Sequence, residues 1–190
     1  METGVTFVAV CHNETHEVDM FCSALLLQKD QRWNCVVVCN GQNDAIAESM
    51  SKYQYDKRFT YLESDTNTGA WGCYNRIKVL SIINSPYVIN TSIQDYYPPH
   101  AVACINAYAG KDIIYWQCLH NHFAYDVLDS KLELTRIDWG SFAVKTEIAK
   151  AVGINHPDSV AADGLFIADL LAAGYTGNNH KIDKILTVHN

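Results

Sequence analysis

Asp95 stands where a carboxylate could do chemistry. It closes the run Asn90-Thr-Ser-Ile-Gln-Asp, behind a short apolar segment and ahead of Pro98-Pro99. At a strand end it could hold a divalent cation against a diphosphate, because hard cations take one or two carboxylates plus phosphate oxygens. It also suits a turn before two prolines. Asp163 opens an apolar helical run in Ala161-Ala-Asp-Gly, with small neighbours that leave room for a ligand. It could accept a proton from a hydroxyl, or face the positive end of a helix. Cys118, His120 and His122 share one face if their strand continues that far. They form either a metal corner or a polar rim at a sheet end, and no second ligand pair stands at a zinc spacing. Asn67-Thr-Gly69 lacks the glycines of dinucleotide and P-loop sites. No Gly-x-Ser-x-Gly elbow occurs, which disfavours that class of serine hydrolase.

These residues need elements to position them. Continuous apolar runs at 5–11, 35–39, 59–62, 87–90 and 113–119 predict strands. Helical spacing predicts helices over 18–28, 45–53, 70–83 and 100–109. Continuous apolar strands alternating with helices indicate a parallel sheet covered on both faces. Ligands of such sheets sit at the carboxyl ends of the strands. That rule selects His12-Asn13-Glu14, Asn40 to Asp44, Asp65-Thr66-Asn67, and Thr91 to Asp95. The second half is less regular: strands are expected at 132–137 and 185–188, and helices at 145–152 and 161–173.

The chain has 190 residues, 48% hydrophobic and 18% charged, which fits one globular domain. A net charge of -7 with no basic cluster beyond Lys57-Arg58 argues against a nucleic-acid partner. Seven cysteines, an odd number without a CxxC pair, sit mostly in apolar runs. They read as buried thiols in a reducing, cytoplasmic setting. The opening residues lack a basic stretch before the apolar run, so no signal peptide is expected. No apolar run approaches the roughly 20 residues of a membrane span, so no transmembrane segment is expected.

In their order and spacing these segments resemble glycosyltransferase family 2, inverting enzymes of the GT-A fold, from about Val5 to Gly174. Val-Ala-Val-Cys-His-Asn-Glu resembles the opening strand and turn, and Val-Val-Cys-Asn-Gly-Gln-Asn-Asp the second-strand motif. Asn67-Thr-Gly69 through Asn75 resembles the family's Asn-x-Gly run, with Tyr74 in place of a common arginine. The family's DxD positions fall on Ser92, Ile93 and Gln94, followed by Asp95. Ile137 to Ser141 resembles the acceptor-side segment, and Ala162-Asp163 stands where the family has its Glu-Asp base motif.

The resemblance implies an α/β, GT-A-like, Rossmann-type, mostly parallel sheet flanked by helices. It implies a single domain over 1–190, with a nucleotide-binding part at about 1–97 and an acceptor-side part at about 98–190. His12, Glu14, Asn40, Asn67, Asn75 and Gln94 would contact a nucleoside diphosphate-sugar. Asp95 would hold Mn²⁺ or Mg²⁺, Asp138 and Trp139 would line the acceptor side, and Asp163 would be the catalytic base. The acceptor would be a saccharide or another hydroxyl compound, and a homo-oligomer is compatible with the reading. Two rivals stay open. A nucleotidyltransferase ordinarily carries a glycine-rich basic loop after the first strand, and His12 to His16 offers none. A degenerate nucleotide- or sugar-binding module without turnover would account for Ser92, Gln94 and Ala162 where acids are usual.

Overall fold

A computed structural model describes residues 4–190; the first three residues of the expected domain lie outside the described residues. The N-terminal half alternates as the apolar runs require. Strand β1 spans Val5–Cys11 and leads to helix α1, Thr15–Leu26. Strand β2, Trp33–Cys39, leads to α2, Asp44–Ser51, and then β3, Phe59–Glu63. Helix α3, Cys73–Leu80, follows a 3₁₀ turn at Ala70–Gly72, and β4 spans Tyr87–Ser92. These four strands pair in parallel in the order β3-β2-β1-β4. Every residue of β1 is buried, because helices cover both faces. Phe7, Ala9 and Cys11 pack toward Phe21, Leu25 and Ile46, while Val8 packs toward Val79, Leu80 and Ile167.

The second half extends the same sheet. It contains β5 (Asp95–Tyr96), α4 (Ala101–Asn106), β6 (Ile113–His120), β7 (Asp126–Leu128) and β8 (Phe142–Lys145). Helices α5 (Thr146–Val152) and α6 (Ala162–Ala172) precede the last strand, β9, Asn179–His189. The complete order is β3-β2-β1-β4-β8-β6-β9-β5, with β7 on β6. β8 runs antiparallel to β4 and β6, whereas β9 runs parallel to β6. Most paired residues are therefore parallel.

Three expectations need correction. Residues 132–137, expected as a strand, form turns: Thr135 has φ 68°, and the N–H of Lys131 bonds to Arg136 O. The single helix expected at 70–83 is broken at its start, because Ala70 and Trp71 sit in left-handed backbone at φ 51° and 48°. Gly72 enables this break: its φ is +72°, and a Cβ there would lie 2.2 Å from Val10. The strand expected at 185–188 is the end of an 11-residue strand, β9, whose middle carries Lys181, Asp183 and Lys184 and so lacks an apolar alternation.

Candidate active site

A cavity of about 890 Å³ opens at the carboxyl ends of β1, β2 and β4. His12, Glu14, Asn40, Asn67, Gln94, Asp95, Asp138, Trp139 and Asp163 all line it. Asn75 does not; it is buried behind the wall and donates from Nδ2 to Asn40 Oδ1 at 3.0 Å.

The wall at β1 and β2 is one hydrogen-bonded net. Glu14 accepts the backbone N–H groups of His12 and Asn13 at 2.6 and 3.0 Å, fixing the turn after β1. His12 places Nδ1 2.8 Å from Asn40 O, and its Nε2 lies 3.0 Å from Asn67 Nδ2. Donation from Nδ1 with acceptance at Nε2 satisfies both contacts with a neutral imidazole. Asn40 Nδ2 donates to Asn67 Oδ1 at 2.8 Å, and Asn40 Oδ1 accepts from Thr68 and Asn75. Both ends of the Asn40 amide are thus engaged in shaping the pocket.

The opposite wall gathers acids and imidazoles from distant segments. His189 ends β9 between two neighbours in register, His120 on β6 and Asp95 on β5. Asp95 is 1% exposed; Oδ1 lies 2.6 Å from His189 Nδ1, and Oδ2 accepts from Thr91 Oγ1 and, at 3.0 Å, from Ser92 N. His120 Nε2 faces Asp138 Oδ2 at 3.6 Å, and His120 Nδ1 accepts the His122 N–H at 3.2 Å. Asp138 caps the 3₁₀ turn Trp139–Ser141, with Oδ1 accepting Gly140 N–H at 2.8 Å. Gly140 has no spare room: a Cβ would lie 2.6 Å from Asp95 Oδ2.

Electrostatics follow from these contacts. Burial pulls the His189 imidazole down, but the Asp95 carboxylate outweighs it and the net shift is upward. Burial pushes the Asp138 carboxyl up, and His120, His189 and the Gly140 N–H reverse this to a net downward shift. Asp163, in the first turn of α6, is pushed up to about 6, chiefly by burial, although it accepts the Gly164 N–H at 2.7 Å. A helix N-terminus favours the ionised form, but burial is the stronger effect here.

His120, Asp138 and His189 offer ligand atoms that all lie within 4.8 Å of one another. Two imidazoles and a carboxylate fit a borderline transition cation better than Mg²⁺, which prefers oxygens. His189 is oriented for this, since its Nδ1 is held by Asp95 and Nε2 remains for a cation. His120 was noticed in the sequence; His189 was not, because nothing near it in sequence marks it. Cys118 turns away from the cavity, its Sγ 3.2 Å from Leu119 O. Trp71 and Arg76 also line the cavity without having been singled out.

A cavity at the carboxyl ends of a mainly parallel sheet is where α/β domains of this kind hold their ligands. The fold matches solved glycosyltransferase structures. TarS 1-349 of S. aureus in complex with UDP aligns with a TM-score of 0.82 at 15% identity, over 98% of this chain and 60% of that one. The mannosyltransferase PcManGT of Pyrobaculum calidifontis, in complex with GDP-Man and Mn²⁺, aligns with a TM-score of 0.78 at 16% identity, over 100% of this chain and 57% of that one. The chain thus spans about three fifths of the length of these neighbours. No curated protein sequence matches it. The family model for glycosyl transferase family 2 matches residues 6–149, and the chain belongs to that family. Its architecture is the GT-A fold.

Proposed function

We propose that this chain transfers a sugar, with inversion, from a nucleoside diphosphate-sugar to an acceptor hydroxyl. The observation that carries the reading is the shared cavity, with the His12–Asn40–Asn67 net on one wall and Asp163 on the other. His12 stacks on the base, while Asn40 and Asn75 hold the Asn67 loop around it. Glu14 fixes the turn that carries His12, and Gln94 meets the ribose or diphosphate. The part at about 1–97 carries the nucleotide, and the part at about 98–190 carries the acceptor side with Asp138 and Trp139.

Asp163 accepts the proton of the acceptor hydroxyl as its oxygen bonds to the anomeric carbon. The bond from that carbon to the diphosphate oxygen breaks on the opposite face, so the configuration inverts. A pKa of about 6 suits a base that works near neutral pH. His120, Asp138 and His189 would hold a divalent cation such as Mn²⁺, with Asp95 orienting His189 from behind rather than binding directly. When bound, the cation neutralises charge on the leaving diphosphate. The Mn²⁺ and GDP-Man in the mannosyltransferase neighbour, and the UDP-GlcNAc bound to TarS 1-349, support a donor of this class. Seven free cysteines support a reducing, cytoplasmic setting. Among the described residues, no helix is long and apolar enough to cross a membrane.

Thermal-shift measurements with UDP, GDP, UDP-GlcNAc and GDP-mannose, each with and without Mn²⁺, test the reading. A ligand at 100 times its Kd adds about 2.7 kcal/mol of stability. A shift with at least one of them is expected, and no shift with any contradicts the reading. A shift without sugar release on long incubation favours a binding module instead.

A further inference from the structure

Arg76 is the only arginine or lysine lining the cavity among the described residues, and it is 4% exposed. A buried guanidinium ordinarily has a carboxylate partner. Arg76 has none within ion-pair distance among the described residues. Its Nη1 instead donates to Val8 O at 3.2 Å and Thr91 O at 2.7 Å, on the paired strands β1 and β4. Its Nε is buried without any hydrogen-bond partner. The Trp139 ring lies 5.6 Å from the guanidinium carbon and shields that side.

The nearby carboxylates face imidazoles rather than Arg76. Asp95 is paired with His189 at 2.6 Å, and Asp138 faces His120 at 3.6 Å. Asp163, pushed up to about 6, lies within electrostatic reach of Arg76 but makes no ion pair with it. A desolvated positive charge with an idle N–H therefore sits on a residue that lines the cavity. An anion in the cavity would relieve both, because unpaired buried charge and unsatisfied buried donors are costly.

We propose that Arg76 is the protein's own anchor for the donor's diphosphate, giving nucleotide binding a component that needs no metal. This rests on the nucleotide-sugar reading of the cavity. Guanidinium suits the task because it forms charge-assisted, forked hydrogen bonds to phosphate oxygens and cannot lose its charge in this pH range. The need for it is also local: Ser92 and Gln94 bring no carboxylate where the resembled DxD motif would, and Asp95 beside them is turned to His189, Thr91 and Ser92.

Calorimetry in EDTA tests this with two probe pairs, UDP against uridine and GDP against guanosine. The parent protein should bind the diphosphate of at least one pair about ten-fold or more tighter than its nucleoside, as expected for hydrogen bonds to a charged group. Arg76→Met should erase that preference while keeping the nucleoside affinity, and Arg76→Lys should keep part of it. Circular dichroism and melting confirm that each variant is folded. If Arg76→Met does not fold, Arg76→Lys and the parent's own preference decide. A parent preference that appears only with Mn²⁺, or one that survives in folded Arg76→Met, overturns the proposal and leaves the nucleotide reading intact. No binding of any probe, even with Mn²⁺, overturns the nucleotide reading itself and the proposal with it.

Discussion

His189 Nδ1 lies 2.6 Å from Asp95 Oδ1, across 94 positions of sequence. β9 brings them together by running parallel to β6 and pairing with β5, so the last residue of the strand lands between His120 and Asp95. The contact fixes which ring nitrogen of His189 faces the cavity. It also sets a pH dependence. Imidazoles must be unprotonated to bind a cation, so Mn²⁺ affinity should rise with pH. Because the His189 pKa is raised above 6.5, that rise should extend above 6.5. Calorimetric titration with Mn²⁺ at pH values from about 6 to 8 checks this. Affinity that is flat over this range, or unchanged in His189→Ala, removes His189 from the cation site.

Asp163 yields opposite effects on stability and transfer. Its folded-state pKa of about 6 lies above the ordinary 3.8, so the folded protein holds this proton more tightly than the unfolded chain. Stability from this group is fully present below 3.8 and is lost as pH rises toward about 6. Asp163→Asn should therefore be more stable than the parent at pH 8, by about 1–3 kcal/mol. The same variant should lose transfer by about 10²–10⁴-fold, and the parent's rate should rise with pH through about 6. Melting and rate measurements on one preparation decide. A variant with a lowered melting temperature and retained transfer would make Asp163 a structural residue.

The wall at β1 and β2 separates a stacking residue from a shaping one. His12→Ala removes a ring face and should weaken nucleotide binding by roughly the 1–3 kcal/mol of base stacking, and, because its contacts with Asn40 O and Asn67 are part-buried or exposed, it should lower the melting temperature less than Asn40→Ala does. Asn40→Ala removes the hub that accepts from Thr68 and Asn75 and donates to Asn67. It should weaken binding and also lower the melting temperature, because the buried Asn75 amide loses the nearer of its two acceptors and keeps only Ser64 Oγ at 3.5 Å. Calorimetry with UDP and GDP distinguishes them. Unchanged affinity in both variants would place the base elsewhere.

Gly140→Ala probes the acid cluster without changing any ionisable group. The added methyl would press on Asp95 Oδ2, which is pinned by Thr91 and Ser92. Gly140 O cannot retreat freely, since it accepts from Tyr97 Oη at 3.0 Å and Thr187 Oγ1 at 2.6 Å. Overpacking of this kind typically costs about 1–3 kcal/mol. Both melting temperature and Mn²⁺ affinity should fall, and a variant that keeps both would show that the cluster yields.

How legible each part was in the sequence depends on what positions it. β1, β2 and β4 are buried on both faces, so their apolar runs announced them, and the polar residues at their carboxyl ends marked the cavity. The segments that hold His12, Asn40 and Asp95 follow from that rule, and the family resemblance singled out His12 and Asn40 within them. β8 has only four residues, and β9 is half exposed with charges in its middle, so neither carries a clear period. His189 could not be found because its role comes from strand pairing rather than from its neighbours. Arg76 on α3 reads as an ordinary exposed basic residue of a helix; only the packed structure turns it into the sheet between Val8 and Thr91. Leu132, Leu134 and Ile137 show the reverse error, an apolar pattern overridden by a left-handed Thr135.

The most direct test of the central claim is the anomeric configuration of the sugar first released from its donor. UDP-GlcNAc and GDP-mannose are both α-linked, and slow hydrolysis with water as the acceptor needs no knowledge of the natural acceptor. Proton NMR of the early product, before mutarotation, reads the configuration. The account predicts that the β-anomer appears first and that Asp163→Asn suppresses it. First appearance of the α-anomer would contradict inversion by a single displacement.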